Sequence, residues 1–176
     1  MHHTIEPAAS GRAGCKGCGQ KIAKGELRFG ERLPNAYGEG EMTLWFHLRC
    51  GAYKRPESVL ETLGRIGDPI DERAELVKLA EEGVQHRRLA RVDGASHAPT
   101  GRAKCRYCRL PISKGDWRLS LVFYEDGRFS AAGFIHAACA QDYLGTRDVV
   151  ARARHFNPKL SDEDVAALEA ALAADD

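Results

Sequence analysis

The sequence predicts two small α+β modules in tandem, each a short antiparallel sheet plus helices. Three observations predict this. Six cysteines fall into two sets of one layout, the surrounding sequence repeats at a shift of 90 residues, and aromatic residues make up only 7% of the 176 positions. So few aromatics are thin material for one large core and point to small modules held together by something besides apolar burial. A composition of 43% hydrophobic and 29% charged residues suits one or two small soluble domains. Lys+Arg 26 against Asp+Glu 25 leaves a net charge of +1, so bulk electrostatics select no partner. No run approaches the roughly 18 apolar residues that a membrane span needs. The opening Met-His-His-Thr-Ile-Glu-Pro lacks the basic-then-apolar pattern of a secretory signal. Secretion and a membrane partner are therefore not expected, and an intracellular location is: cytoplasm or nucleoid in a prokaryote, nucleus in a eukaryote.

The cysteines name the missing adhesive. Cys15 and Cys18 are followed by His47 and Cys50 in the pattern C-x2-C-x28-H-x2-C, and Cys105 and Cys108 by His136 and Cys139 in C-x2-C-x27-H-x2-C. Three thiolates and an imidazole form one of the regular closed tetrahedral ligand sets of Zn2+. Six cysteines also suffice for three disulfides, but that alternative needs an oxidising compartment and gives no reason for a His at the matching place in both sets. The expectation is two structural zinc ions per chain, with four protein ligands each and no open position for a water or a substrate.

The repeat reaches beyond the ligands. Ser10-Gly11-Arg12-Ala13 faces Thr100-Gly101-Arg102-Ala103, and Ile22-Ala23-Lys24-Gly25-Glu26-Leu27-Arg28 faces Ile112-Ser113-Lys114-Gly115-Asp116-Trp117-Arg118. A period this long reads as two tandem copies rather than a solenoid. Each copy begins with a Cys-x2-Cys knuckle and a Lys-Gly turn. Strands are predicted near 26–33 and 42–46 in the first copy. In the second they lie near 116–124 and 129–135, around the Glu125-Asp126-Gly127 turn signal. The His-x2-Cys pair then opens a short helix, about 47–54 and 136–143. Helical spacing of apolar residues follows over 56–63 and 71–92, with Leu76, Leu79 and Ala80 on one face. Ser161-Asp162-Glu163-Asp164 caps a last helix carrying Val165, Leu168 and Leu172. The small, polar stretch 93–99 is predicted as a linker between a first module over 8–92 and a second over 100–176.

Charge is uneven on this division. Residues 10–54 and 101–139 are each net +4, while 55–100 is net −2 and 140–176 net −4. Two basic modules with acidic appendices hide behind a neutral total, and local positive patches favour a phosphate backbone even so. Solvated surface charge on small domains is the alternative.

The run Ser-Gly-Arg-Ala-x-Cys-x2-Cys-x3-Ile-x-Lys-Gly-x-Leu-Arg, followed by Trp45-Phe46-His47-x2-Cys50, resembles the zinc finger of poly(ADP-ribose) polymerases, which also occurs at the start of a vertebrate DNA ligase. Both copies carry the pattern, so the chain resembles a stand-alone tandem zinc-finger protein. The resemblance implies recognition of nicks, gaps and ends in DNA by structure rather than sequence, in DNA repair or damage sensing. It also implies phosphate contacts by Arg12 and Arg28 and by Arg102 and Arg118, supplemented by Lys16, Lys24, Lys104, Arg106 and Lys114. Guanidinium forks suit bidentate phosphate binding. Arg28 and Arg118 have the alternative of pairing with Glu26 or Asp116. An apolar inter-strand loop that stacks on exposed bases is also implied. Its candidates are Leu33, Tyr37 and Met42 in the first copy and Val122 and Phe123 in the second, beside Tyr124 and Phe129. Core packing is the competing role for Phe123 and Phe129, and Trp45 and Phe134 read as packing around the metal.

No Gly-x-Gly-x-x-Gly, Walker loop, Gly-x-Ser-x-Gly or His-Glu-x-x-His motif is present, so neither an enzyme nor a small-molecule substrate is expected. The function expected is zinc-dependent binding of broken DNA. The alternatives are a zinc-stabilised protein-interaction adaptor and an accessory subunit that supplies break targeting to a separate repair enzyme.

Overall fold

The computed structural model describes residues 2–174. The final two positions of the second predicted module, 175 and 176, lie outside them. The chain divides into two compact units, residues 1–85 with 124–129, and residues 86–123 with 130–176.

In the first unit, strands β1 (Thr4–Pro7), β2 (Leu27–Pro34) and β3 (Glu41–His47) form an antiparallel sheet in the order β1-β2-β3. Its register pairs Glu6 with Arg28, Arg28 with His47, and Gly30 with Trp45. Helix α1 (Leu48–Lys54) starts directly after His47 and runs into α2 (Pro56–Arg65), whose first-turn proline needs no backbone donor. Helix α3 (Arg73–Gln85) packs on both. The core is Phe29, Phe46, Ile22, Ala52, Val59, Leu63, Leu76 and Ala80. Gly51 allows α1 to approach the sheet closely, since a Cβ there would meet Phe29 Cδ1 at 2.9 Å. A charged cluster is buried beside this core. Glu31 is fully buried and accepts bonds from Arg55 Nε at 2.8 Å, Ser58 Oγ at 2.7 Å and the Tyr124 hydroxyl at 3.3 Å. Burial and the neighbouring carboxylate push the Tyr124 hydroxyl up to about 12, against the pull of Arg55.

In the second unit, β4 (Val92–His97), β5 (Trp117–Glu125) and β6 (Arg128–His136) repeat the order, with Ser96 paired to Arg118 and His97 to Trp117. The β5–β6 turn is two residues long, with Asp126 at φ 49 and Gly127 at φ 76, the left-handed pair that a tight hairpin demands. A 3-10 turn (Ala137–Cys139) leads into α4 (Ala140–Leu144). Helices α5 (Val150–Phe156) and α6 (Asp162–Ala173) follow. Helix α6 starts in the predicted capping box, with Asp164 N–H donating to Ser161 Oγ and Ser161 N–H to Asp164 Oδ2. The core joins Leu89, Val92, Ala95, Leu119, Leu121, Ile135, Val149, Ala153 and Leu168.

Three expectations differ from the structure, and two elements are additional; the first module, expected over 8–92, begins with β1 at Thr4 and gives way to the second unit at His86. The stretch 93–99 is not a linker for most of its length: Val92–His97 is the first strand of the second sheet. Its small residues suit an edge strand under a helix, where Asn157 Nδ2 donates to Ala95 O at 3.1 Å. The helix predicted over 71–92 ends at Gln85 and is followed by a 3-10 turn over Arg87–Arg91. Strand β1 and helix α5 were not predicted, being four and seven residues long.

Replacing Glu31 with Ala removes one side of a buried ion pair and three accepted hydrogen bonds. It is expected to lower stability by about 3 kcal/mol, read as a lower urea midpoint in zinc-containing buffer.

Candidate functional site

In each unit the Cys-x2-Cys knuckle and the start of the helix after the sheet bring four ligand atoms together. Cys15, Cys18, His47 and Cys50 form one group and Cys105, Cys108, His136 and Cys139 the other, with all ligand atoms of a group within 4.8 Å of one another. None of the six cysteines is in a disulfide. His47 Nδ1 lies 3.4 Å from Cys18 Sγ and 3.9 Å from Cys50 Sγ, and His136 Nδ1 lies 3.4 and 3.8 Å from Cys108 and Cys139 Sγ. Ligands at ordinary Zn–S and Zn–N lengths on a tetrahedron stand about 3.5 Å apart, so the donor set fits zinc. The other imidazole nitrogen of His136 is tethered as in metal-bound histidines generally, with Nε2 3.1 Å from Pro111 O, whereas His47 Nε2 has only the Glu26 carboxylate nearby, 3.9 Å away and beyond hydrogen-bond reach.

Electrostatics within the groups favour a cation. Cys15 accepts N–H bonds from Gly17 at 3.3 Å and His47 at 3.4 Å, and Cys105 accepts one from His136 at 3.4 Å. The hydrogen bond from Cys50 does most to hold the Cys15 thiol down at about 4. Burial opposes ionisation of Cys105, yet backbone N–H bonds bring it to about 7. Cys50 is pushed up, first by its hydrogen bond with Cys15, and Cys139 is pushed up, first by burial. In each group one thiol is drawn down and another pushed up. A divalent ion removes the conflict.

The predicted cationic residues stand on turns fastened to these knuckles. In the first unit Ile22 N–H donates to Ala13 O at 2.9 Å and Gly25 N–H to Ala8 O at 2.9 Å. In the second Ile112 donates to Ala103 O and Gly115 to Ala98 O, both at 2.8 Å. These bonds set the Arg12 turn against the Lys24 turn, and the Arg102 turn against the Lys114 turn. A Cβ on Gly11 or Gly101 would lie 3.8 Å from Lys24 N or Lys114 N. Arg12, Lys16 and Lys24 are exposed, as are Arg102, Lys104, Arg106 and Lys114. Lys16 N–H donates to Trp45 O and Arg106 N–H to Phe134 O, so each knuckle is also laced to its third strand.

Arg28 and Arg118 sit differently. The Arg28 guanidinium lies over the Trp45 ring at 3.5 Å and Arg118 over Phe134 at 3.6 Å. These two rings, predicted to pack around the metal, are platforms for the arginines. Gly30 makes room for the larger one, since a Cβ there would meet Trp45 Cζ3 at 2.6 Å. Arg28 is 8% exposed and pairs with Glu6 Oε1 at 3.1 Å, not with Glu26. Arg118 is partly exposed and meets Ser96 Oγ with its Nε at 3.4 Å.

A sequence model of the family described as the poly(ADP-ribose) polymerase and DNA-ligase Zn-finger region matches residues 6–87. Over these residues, just under half of its length, the chain matches that zinc-finger family. It is 30% identical over 138 residues to a poly(ADP-ribose) polymerase of Sarcophaga peregrina, which covers 69% of this chain and 14% of the relative. A Drosophila melanogaster poly(ADP-ribose) polymerase is 32% identical over 140 residues, 71% of this chain and 14% of its own length. Poly(ADP-ribose) polymerase 1 of Gallus gallus is 30% identical over 133 residues, 67% and 13% respectively. The chain thus spans about a seventh of the length of these relatives.

Between the strands of the first finger, Leu33 and Met42 pair across β2 and β3, both half-buried. With Pro34, Ala36, Tyr124, Asp126 and Gly127 they line an open groove of about 310 Å3. Tyr37 is 66% exposed, with the Arg128 guanidinium 5.2 Å from its ring. In the second finger Val122 is buried, whereas Phe123 is 48% exposed under Arg91 at 4.9 Å. Phe129 stands edge-on to Phe46 at 6.2 Å and lies 4.8 Å from Tyr124. Three residues of interest went unmarked by sequence reasoning: Glu6, Ser96 and Tyr107, the last exposed on the second knuckle between Arg106 and Arg109. Extending the 90-residue shift upstream of Ser10 would have aligned the first two.

His47→Ala or His136→Ala is expected to reduce zinc from two ions per chain to one by native mass spectrometry. The double substitution should leave a chain with little cooperative unfolding, because metal affinity is folding energy in such modules.

Proposed function

We propose that this chain binds DNA at strand breaks and recognises the break by structure rather than by base sequence. The observation that carries this reading is the repeated cationic construction. In both fingers an exposed arginine turn, Arg12 or Arg102, is hydrogen-bonded against a Lys-Gly turn and fixed to a zinc knuckle. Rigid, unburied guanidinium groups are the side chains best suited to grip phosphates, and doing so releases counterions from the duplex. The family match supports nucleic acid as the partner, since the matched region is one that a DNA ligase shares.

On this reading Arg28, Arg118, Lys16, Lys24, Lys104, Arg106 and Lys114 add to the phosphate-binding surface. Leu33, Tyr37 and Met42 in the first finger and Phe123 in the second are the residues offered to unstacked bases, whereas Val122, expected to join them, is buried in the core. A base that stacks on an aromatic ring contributes about 1–3 kcal/mol, so one exposed ring suffices to separate a gap from an intact duplex. Tyr37 and Phe123 are the exposed rings among these candidates, each with a guanidinium over one face. The two modules, divided near residue 85 rather than by a linker over 93–99, then act as tandem readers, gaining effective concentration from their covalent connection. The chain supplies targeting, and a separate repair enzyme supplies chemistry.

The test is a fluorescence anisotropy titration of the zinc-loaded chain against nicked, gapped and intact duplexes of one sequence at several salt concentrations. Nicked and gapped DNA are expected to bind at least tenfold more tightly than intact duplex. Arg12→Ala with Arg102→Ala should weaken binding to all three and reduce the log–log salt slope by about two, with the zinc content unchanged. Equal affinity for nicked and intact duplex would contradict break recognition.

A further inference from the structure

The two zinc knuckles hold their metal ligands alike but present different side chains to solvent. By the 90-residue shift, Lys16-Gly17-Cys18-Gly19-Gln20 in the first finger corresponds to Arg106-Tyr107-Cys108-Arg109-Leu110 in the second. The first knuckle is bare. A Cβ on Gly17 would meet Cys50 Cβ at 2.8 Å, which leaves no room for a side chain without moving a metal ligand, and Gly19 turns at φ 76 as a glycine readily does. The second knuckle is not bare. Tyr107 is 45% exposed and Leu110 63%, and neither belongs to the core of its unit. Arg109 takes the place of Gly19 and keeps its left-handed backbone, at φ 68, a conformation unfavourable for a residue with a Cβ. A strained arginine and two exposed apolar side chains thus stand where the first copy has two glycines and a glutamine.

Beneath these side chains the backbone is fixed. Cys105 N–H donates to Leu110 O at 2.9 Å, Arg106 N–H to Phe134 O at 2.8 Å and Arg109 N–H to Cys105 O at 3.0 Å, while the Tyr107 N–H bonds the Cys105 sulfur. The Arg106 stem lies along Gly133, where a Cβ would meet its Cδ at 3.3 Å. Among the described residues, the side chains of Arg106, Tyr107 and Arg109 make no hydrogen bond, ion pair or ring contact. Their surroundings are strongly positive, since residues 102–115 hold five cations and no acid.

We propose that the second knuckle is a base-stacking platform: the Tyr107 ring, beside Leu110, takes the face of an unpaired nucleobase, and Arg106 and Arg109 hold the phosphates that flank it. An exposed ring on a rigid support stacks with little ordering cost, and every base offers it a π-face. Charge selects the occupant. A protein segment would have to bring several carboxylates to this patch, whereas a DNA strand brings a phosphate beside every base. The inference rests on the nucleic-acid reading above and adds to it a contact made by the knuckle itself, apart from the inter-strand loop. It also makes the fingers unequal, because the first knuckle offers Lys16 to a phosphate but no ring to a base.

Two measurements on the full, zinc-loaded chain test this. In the first, affinity is measured for a gapped duplex, whose gap exposes unpaired bases, and for an intact duplex. Tyr107→Ala is expected to weaken binding to the gapped duplex about tenfold and to the intact one less than twofold, with two zinc ions retained. Tyr107→Phe should keep the original affinities within twofold. Arg109→Gly is expected to raise the unfolding midpoint by relieving the left-handed backbone, yet to weaken gapped-duplex binding about threefold. Unchanged gapped-duplex affinity in Tyr107→Ala would overturn the proposal and leave the patch to a protein partner. An equal loss on both duplexes would overturn it too. In the second, a short oligothymidylate is titrated while the Tyr107 ring-proton resonances, identified by their loss in Tyr107→Phe, are followed. They are expected to move upfield as a base stacks on the ring. Stationary signals would overturn the proposal even if the chain binds broken DNA, and moving ones support it even if nicked and intact duplex bind alike.

Discussion

Everything in this chain depends on the tetrahedral clasp of three sulfurs and an imidazole, made twice. Each clasp joins two points distant in sequence: a knuckle that precedes the sheet, and the first residues of the helix that follows it. Because His47 ends β3 and stands across from Arg28 on β2, a metal held at this corner fixes the strand register and the arginine together. The sheets have three strands each and depend on an apolar face packed against the helices. Their cores are correspondingly modest, and the metal adds the adhesion that apolar burial does not supply.

On that frame the two fingers are built alike and charged differently. The turns that carry Arg12 and Arg102 are held by equivalent backbone bonds of 2.8–2.9 Å, and both inner arginines lie flat on a ring. The duplicated parts are those that depend on geometry. What has diverged is the edge strand, where a carboxylate in one copy corresponds to a hydroxyl in the other, and the inter-strand loop. That loop is six residues of turn between β2 and β3 but a two-residue hairpin between β5 and β6.

The ligands, the turns, the main strands and the capped last helix were legible in the sequence because each rests on local chemistry with a fixed spacing. Cys-x2-Cys and His-x2-Cys have one geometric meaning whatever surrounds them, and Ser161 with Asp164 is a two-bond motif within one turn. Strands β1 and β4 were not legible. Thr4–Pro7 is too short to show alternation, and Val92–His97 contains Gly, Ala and Ser, which read as linker until a neighbouring strand and α5 cover them. Phe134 does pack against the core that holds Cys105 and Cys139, as expected, but the second role of Trp45 and Phe134, under the arginines, is not legible in the sequence. A ring beside a metal ligand reads as core filling until the arginine above it is seen. Arg28 was expected to meet phosphate or Glu26; its actual partner, Glu6, lies on the strand that the sequence did not reveal.

The most direct test of the clasp is zinc K-edge X-ray absorption on the zinc-loaded chain. The structure predicts a first shell averaging three sulfurs at about 2.3 Å and one nitrogen at about 2.0–2.1 Å per zinc, with two zinc ions per chain. A shell containing oxygen, a sulfur count of two or four, or zinc-free chains that keep their fold with the cysteines oxidised in pairs would contradict it.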